Sequence, residues 1–378
     1  MTPSPVVAAI TGTGLWNAPD VITNDELVAS FNEYVRIQNE RNSAAIASGA
    51  AVALEPSSVE FIEKASGIRQ RYVIDRRGVL DPERMRPYFA PRPNEQVSLQ
   101  VEIALGAARD ALAMARREAA DIDLVIIACA NMQRAYPAMA VELQQALGAS
   151  GYAYDMNVAC SSATFGIEQA ANAIRAGTSR AALVVSPEIT SAHLDWRDRD
   201  SHFIFGDVCT AVVVEDAARA HVSARFDILG TKLATKFSNN IRNNAGFLAR
   251  CEDVDRNAHD QLFVQEGRKV FKEVCPMVVE HIGSHLAQLG IDPQSVTRYW
   301  LHQANLNMNL FITRKLLGAD PGPERAPVIL DEYANTASAG SIIAFHRHGE
   351  GLTAGDIGVI CSFGAGYSIG CVVVQRVQ

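Results

Sequence analysis

Cys160 lies in the run Tyr154-Asp155-Met156-Asn157-Val158-Ala159-Cys160-Ser161-Ser162-Ala163-Thr164-Phe165-Gly166. An apolar segment ends at this thiol. Ile167, Ala170, Ala171 and Ile174 then recur at i, i+3, i+4 and i+7, the spacing of one helix face, and Gly177 follows as a stop. A thiol between a strand and a helix N-terminus feels the positive end of the helix dipole. The sequence therefore predicts a depressed thiol pKa and a nucleophilic thiolate. The layout is a nucleophile elbow with cysteine in the nucleophile's place, although the G-x-S-x-G pattern is missing. Read alone, Cys160 is equally a small apolar filler, one of seven cysteines.

Other segments carry complementary chemistry. His302 ends a predicted strand, Arg298 to Leu301, and precedes a predicted helix, Asn305 to Leu317. A helix start disfavours the imidazolium, and a neutral imidazole donates at one nitrogen and accepts at the other. Asn335 sits in Glu332-Tyr333-Ala334-Asn335-Thr336-Ala337-Ser338-Ala339-Gly340-Ser341, a small-residue loop opening a helix toward His348. It is either an amide reaching into a site or an ordinary N-cap. Cys361-Ser362-Phe363-Gly364-Ala365-Gly366-Tyr367 is a turn at a strand end. Its backbone N–H groups, with that of Cys160, could form an oxyanion hole for a thioester carbonyl.

The elements that must position these groups come in two sets. A helix near 97–118 leads into Asp121-Ile122-Asp123-Leu124-Val125-Ile126-Ile127-Ala128-Cys129-Ala130-Asn131. A helix near 266–289 leads into Pro293-Gln294-Ser295-Val296-Thr297-Arg298-Tyr299-Trp300-Leu301-His302-Gln303-Ala304-Asn305. The endings Gly206 to Val214 and Gly366 to Val374 also match. The chain reads as a duplicated α/β protein with parallel-rich sheets, residues 1–218 carrying the cysteine and 219–378 the histidine and asparagine. Val6 to Leu15 reads as a strand holding Gly12-Thr13-Gly14, a fragment of a dinucleotide fingerprint without its third glycine, since position 17 is Asn17. Residues 37–57 are alanine-rich and read as a mobile or weakly helical excursion, and Arg84 to Asn94 as a proline-rich loop.

Composition narrows the class. The 378 residues carry a formal net charge of -8, so no global basic field favours nucleic acid or anionic membranes. The cysteines show no C-x-x-C pair, which argues against a zinc ribbon or a disulfide framework and for a reducing compartment. Met1-Thr2-Pro3-Ser4-Pro5 lacks the charged region of a signal peptide, and no apolar run approaches the ~20 residues that span a bilayer. A cytoplasmic enzyme is expected.

The four motifs together resemble the β-ketoacyl-ACP synthase III family over nearly the whole chain: Asn-Val-Ala-Cys-Ser-Ser, His-Gln-Ala-Asn, Ala-Asn-Thr-Ala-Ser and Phe-Gly-Ala-Gly. The resemblance implies a thiolase-like, five-layered α/β/α/β/α fold and a homodimer. It implies that Cys160 takes the acyl group of an acyl-CoA and that His302 and Asn335 hold the malonyl thioester during decarboxylation. The Cys160 and Ala365 amides would form the oxyanion hole, and Phe363 an apolar wall against the malonyl carboxylate. No metal or organic cofactor is implied. Arg199 resembles a CoA contact; Lys272, Arg314 and Lys315 match docking positions for acyl carrier protein; Tyr136 aligns with the aromatic residue that floors the partner's acyl pocket.

There are departures. The family's tryptophan and arginine around the CoA adenine align with Phe61 and Ala65, and a docking arginine aligns with Asn307. With the long segment 37–57, the chain is more similar to the subgroup that takes medium-chain acyl-CoA, such as octanoyl-CoA, and makes a β-ketodecanoyl product. An acetyl-CoA-primed enzyme and a polyketide- or quinolone-type synthase acting on CoA esters remain alternatives. A cysteine thioester hydrolase shares the Cys, His, Asn order but gives no reason for the duplication. A biosynthetic thiolase would need Gly-His-Pro after the asparagine, which is absent although Cys361 lies near its second cysteine. A purely binding role is disfavoured by the complete Cys-His-Asn set.

Overall fold

The computed structural model describes residues 6–378; Met1–Pro5, read above for a leader, lies outside the described residues. In chain order the strands are β1 (Ala8–Asn17), β2 (Asp20–Thr23), β3 (Gln70–Val73), β4 (Leu124–Ala128), β5 (Tyr152–Met156), β6 (Ala181–Glu188) and β7 (Val208–Asp216). The second half supplies β8 (Arg225–Ser238), β9 (Ile241–Asn243), β10 (Phe263–Gln265), β11 (Arg298–Leu301), β12 (Ile357–Gly364) and β13 (Gly366–Val377). Nine of them form one sheet in the order β11-β12-β13-β8-β1-β7-β6-β4-β5. β2 pairs with β3 and β9 with β10 as separate ribbons.

Read outward from the β1–β8 contact, the two arms repeat. β1-β7-β6-β4 is matched by β8-β13-β12-β11, with the first two pairings antiparallel and the third parallel in each arm. The expectation of parallel-rich sheets is therefore corrected. Among the described strands, only β4–β5, β4–β6 and β11–β12 run parallel. The returning strands β7 and β13 are each joined to a neighbour in the opposite direction, which apolar patterning alone cannot reveal.

Side-chain alternation turns this sheet into layers. On β4, Leu124, Ile126 and Ala128 face one core while Val125 and Ile127 face another. On β13, Val372 and Val374 join the first core and Cys371 and Val373 a third. The shared central core holds Ile167, Ala170, Ala171 and Ile174 of the Ser162–Arg175 helix together with Ile342, Ile343, Ala344 and Phe345 of the Gly340–Arg347 helix. The Leu99–Ala115 and Met139–Leu147 helices cover one outer face, and the Gly267–Gln288 and Leu306–Leu317 helices the other. The result is α/β/α/β/α. Burying each large aliphatic side chain in the middle layer contributes roughly 1.5–3 kcal/mol.

Two local readings change. Gly12 and Gly14 serve helix packing: a Cβ at either would lie 2.2 Å from the Ala111 carbonyl oxygen or 2.0 Å from that of Ala107. The segment 37–57 contains the end of the Asn24–Arg41 helix and a short Ser43–Ala47 helix. Its return is pinned, with Asn39 exchanging hydrogen bonds with Leu54 (2.9 and 2.8 Å) and Asn32 with Ser57 (3.1 and 2.8 Å). Among the described residues, no helix is long and apolar enough to cross a membrane.

Candidate active site

Cys160 occupies a tight turn, Ala159–Ser161, between β5 and the Ser162–Arg175 helix. Ala159 has φ of +46°, a left-handed conformation that is sterically costly for a residue with a Cβ. Asn157 Oδ1 accepts the Ala159 N–H at 2.8 Å, and Ser162 Oγ accepts the Val158 N–H at 2.8 Å, so side chains hold the strained turn. The end of β12 comes against it. A Cβ on Gly364 would lie 2.6 Å from Cys160 Cβ and 2.9 Å from its Sγ, so only glycine fits. The backbone N–H groups of Ala365 and Cys160 favour the thiolate. Ser368 Oγ lies 2.9 Å from Ser161 Oγ and 2.9 Å from the Ala365 carbonyl oxygen, locking the closing turn to the cysteine turn.

The thiol does not rest as a thiolate. Burial pushes Cys160 up to about 12 and the Glu188 carboxylate pushes the same way, against the two N–H groups. This corrects the expectation drawn from the helix start. Cys160 lies outside the first helical residue, Ser162, and the loss of water around the sulfur outweighs the local dipole.

His302 follows β11, and its N–H donates to the Cys361 carbonyl at 2.8 Å. It is 1% exposed, and burial pulls the imidazole down to about 3, so it is neutral at ordinary pH. Its Nδ1 has no hydrogen-bond partner among the described residues. Phe363 packs edge-on against the ring, with centroids 5.2 Å apart. Asn335 is held by its backbone, accepting the Gly206 N–H at 3.1 Å and donating to the Ile204 carbonyl at 2.9 Å. Its Oδ1 accepts the Ala337 N–H at 2.9 Å, which leaves the Nδ2 donors as the free end of the amide. The N-cap-like bond and the outward-reaching amide thus coexist.

Sequence reasoning missed a fully buried carboxylate behind this loop. Glu188, the last residue of β6, accepts N–H groups from Ala130 (3.1 Å) and Ser338 (3.1 Å) and the Ser338 hydroxyl. Burial pushes it up to about 7. An acid closing an otherwise apolar strand, Ala181-Ala182-Leu183-Val184-Val185-Ser186-Pro187-Glu188, was the available signal.

Cys160, His302, Asn335, Phe363 and Gly364 line one cavity of about 760 Å³. Most of the remaining wall is apolar, including Phe203, Phe205, Phe263, Val270 and Met308. Phe61 and Ala65 also line it. The Arg199 guanidinium lies 4.3 Å from the Phe61 ring centroid, and its Nε donates to the Pro56 carbonyl at 2.8 Å. Phe61 is thus stacked under an arginine that is tied to the end of the 37–57 segment. Lys272, Arg314 and Lys315 are all exposed. Arg314 is already paired with Asp320 (Nη2–Oδ2 2.8 Å), while Lys315 lies 5.8 Å from the Phe311 ring. Asn307, Phe311, Arg314 and Lys315 border a neighbouring groove. Tyr136 is 84% exposed and does not line the cavity of its own chain. Among the described residues, no group of three or more His, Cys, Asp or Glu side chains is placed to hold a metal.

A thiol, a neutral imidazole and a carboxamide in one apolar cavity, on a duplicated five-layer α/β frame, are equipment for acyl transfer. The chain belongs to the 3-oxoacyl-[acyl-carrier-protein] synthase III family of condensing acyltransferases. Residues 154–236 match the family itself and residues 286–376 its C-terminal part. The chain is 61% identical over 347 residues to the β-ketodecanoyl-[acyl-carrier-protein] synthase of Pseudomonas aeruginosa PAO1, a match spanning 92% of this chain and 99% of that protein. Among solved structures it resembles 3-oxoacyl-[acyl-carrier-protein] synthase III from Aquifex aeolicus VF5, with TM-score 0.74, 25% identity and coverage of 97% and 99% of the two chains. It also shares the fold of the priming β-ketosynthase of the R1128 polyketide pathway, with TM-score 0.77 at 22% identity over 100% and 99%.

Proposed function

We propose that this enzyme condenses a medium-chain acyl-CoA, octanoyl-CoA in particular, with malonyl-ACP, giving β-ketodecanoyl-ACP, CoA and CO2. The observation that carries the chemistry is the meeting of Cys160, His302 and Asn335 in the single apolar cavity. The relative named for a β-ketodecanoyl product supports the chain length, because octanoyl plus the two-carbon unit left by malonate gives that product.

The cycle has two halves. Cys160 Sγ attacks the acyl-CoA carbonyl, and the oxyanion is held by the Cys160 and Ala365 N–H groups. The thioester bond to CoA breaks, and CoA leaves as its thiol with the cysteine proton. Malonyl-ACP then enters. His302 and Asn335 Nδ2 donate to its thioester oxygen as the carboxylate departs as CO2. A neutral imidazole suits this role, because the charge to be stabilised develops only in the transition state; each such donor is worth about 3 kcal/mol. The resulting enolate attacks the acyl carbonyl on Cys160, the bond to sulfur breaks, and the released thiolate takes a proton from solvent to restore the thiol. Phe363 beside His302 makes the surroundings apolar and disfavours the malonyl carboxylate over CO2. None of these steps calls for a metal or an organic cofactor.

Residues 1–218 supply the nucleophile and 219–378 the two donors, so the cycle runs between the repeats. Arg199 on Phe61 forms one side of the CoA entrance. Lys272, Arg314 and Lys315 form a face for acidic acyl carrier protein. The working unit is a homodimer in the cytoplasm, with Tyr136 entering the partner's acyl pocket. The test is a primer panel with malonyl-ACP, read by mass spectrometry of the ACP product and of Cys160. Each methylene entering an apolar pocket contributes up to ~0.8 kcal/mol, so octanoyl-CoA should exceed acetyl-CoA in kcat/KM by orders of magnitude. An acetyl-CoA efficiency equal to or above that of octanoyl-CoA refutes the medium-chain reading. His302→Ala and Asn335→Ala should still acylate Cys160 but lose malonyl decarboxylation.

A further inference from the structure

A second cleft, of about 360 Å³, opens where the two arms of the sheet meet, and it shares no lining residue with the catalytic cavity. Its origin lies in the strand pairing. β1 and β8 pair only at Ala9–Asp227 and Ile10–Phe226. Against β7, the register of β1 shifts between Ile10 and Gly12, so Thr11 is the bulged residue. A bulge re-aims a side chain. Thr11 lines the cleft at 4% exposure, and its Oγ1 has no hydrogen-bond partner among the described residues. A buried hydroxyl without a protein partner is satisfied by a water or a bound ligand, or stays strained.

A second orphan lies on the same wall. Arg376 Nε is buried without a partner among the described residues, and its guanidinium stands 4.9 Å from the centroid of the Phe226 ring. Arg116 also lines the cleft, is exposed and makes no ion pair among the described residues. Arg225, the third guanidinium, is held by Asp227 at 2.8 Å. The one lining carboxylate, Glu350, is exposed. A cluster of three arginines against one acid is notable on a chain of net charge -8. The floor is aromatic, with Phe226 and Phe345 packed edge to face at 4.9 Å. Thr13 Oγ1 is already engaged by His346 Nδ1 at 2.8 Å, and Ser223 is exposed, which leaves Thr11 as the free buried hydroxyl.

We propose that this cleft binds a small organic anion, a carboxylate or phosphate on a compact flat body. The anionic head would take the Arg376 and Arg116 guanidinium groups and the Thr11 hydroxyl; the body would lie on Phe226 and Phe345. The probes are benzoate and phenyl phosphate, which share a ring and differ in the head, with inorganic phosphate as the bare anion. They are titrated by calorimetry into the full-length protein after Cys160 has been alkylated. At least one aromatic anion should bind with a Kd below ~1 mM. Which of the two binds more tightly distinguishes a carboxylate from a phosphate source. Thr11→Val keeps the side-chain shape and Arg116→Ala changes only an exposed residue. Each should weaken binding about tenfold, the loss expected for a hydrogen bond to a charged group, while Cys160 acylation in the unalkylated variants stays as in the parent. The proposal is overturned if neither aromatic anion binds, if both variants bind like the parent, or if inorganic phosphate binds as tightly as phenyl phosphate.

Discussion

In the proposed cycle the resting state of Cys160 sets how acyl transfer must start, and pH reads it directly. Burial and the Glu188 carboxylate hold the thiol at about 12, so the thiolate appears only as pH climbs toward that value. At pH 7 its fraction is about one in 10⁵, against about three in a hundred for an ordinary thiol. His302, held near 3, stays neutral throughout and cannot share a thiolate–imidazolium pair with the cysteine. Alkylation of Cys160 by iodoacetamide should therefore rise about tenfold per pH unit from roughly pH 6 to 10, with no plateau. His302→Ala should leave that slope unchanged. Peptide mass spectrometry follows Cys160, and exposed Cys251 serves as an internal reference for the reagent. A plateau in the Cys160 rate below about pH 8 would falsify the argument, because the helix start and the two N–H groups would then outweigh burial.

Further perturbations follow from the same geometry. Gly364→Ala puts a Cβ 2.6 Å from Cys160 Cβ; acylation should fall at least about a hundredfold with the fold retained by circular dichroism, and near-parent acylation would contradict the close approach. Glu188, pushed up to about 7, binds its proton more tightly folded than unfolded. It lends stability below ~pH 4.5 that is lost as pH rises toward 7, by about 3 kcal/mol, and Glu188→Gln should flatten that slope in urea unfolding. Charge reversal at Lys272 and Lys315 should raise the KM for malonyl-ACP more than reversal at Arg314, whose charge is already met by Asp320, and added salt should shrink the effect. Phe61→Ala removes the ring under Arg199 and should raise the KM for octanoyl-CoA several-fold while leaving malonyl-ACP kinetics unchanged.

That Cys160, His302 and Asn335 would share one cavity was legible because each stands at an element boundary, and boundaries leave local marks. Ile167, Ala170, Ala171 and Ile174 announced the helix behind Cys160, and all four lie in the central core. The matching strand endings announced the duplication, which reappears as the mirrored order of the two arms. What could not be read locally was anything summed over distant segments. The antiparallel return of β7 and β13 depends on which strands become neighbours. The raised Cys160 thiol depends on how much water the assembled neighbours exclude and on the charge of Glu188. The Phe61–Arg199 stack joins residues far apart in sequence. The sequence by itself determined which side chains can react and which faces must be buried, since type and periodicity are local. Only the tertiary structure decided their protonation and the shape of the cavity between them, because desolvation and close approach belong to the assembled neighbours and not to any one segment.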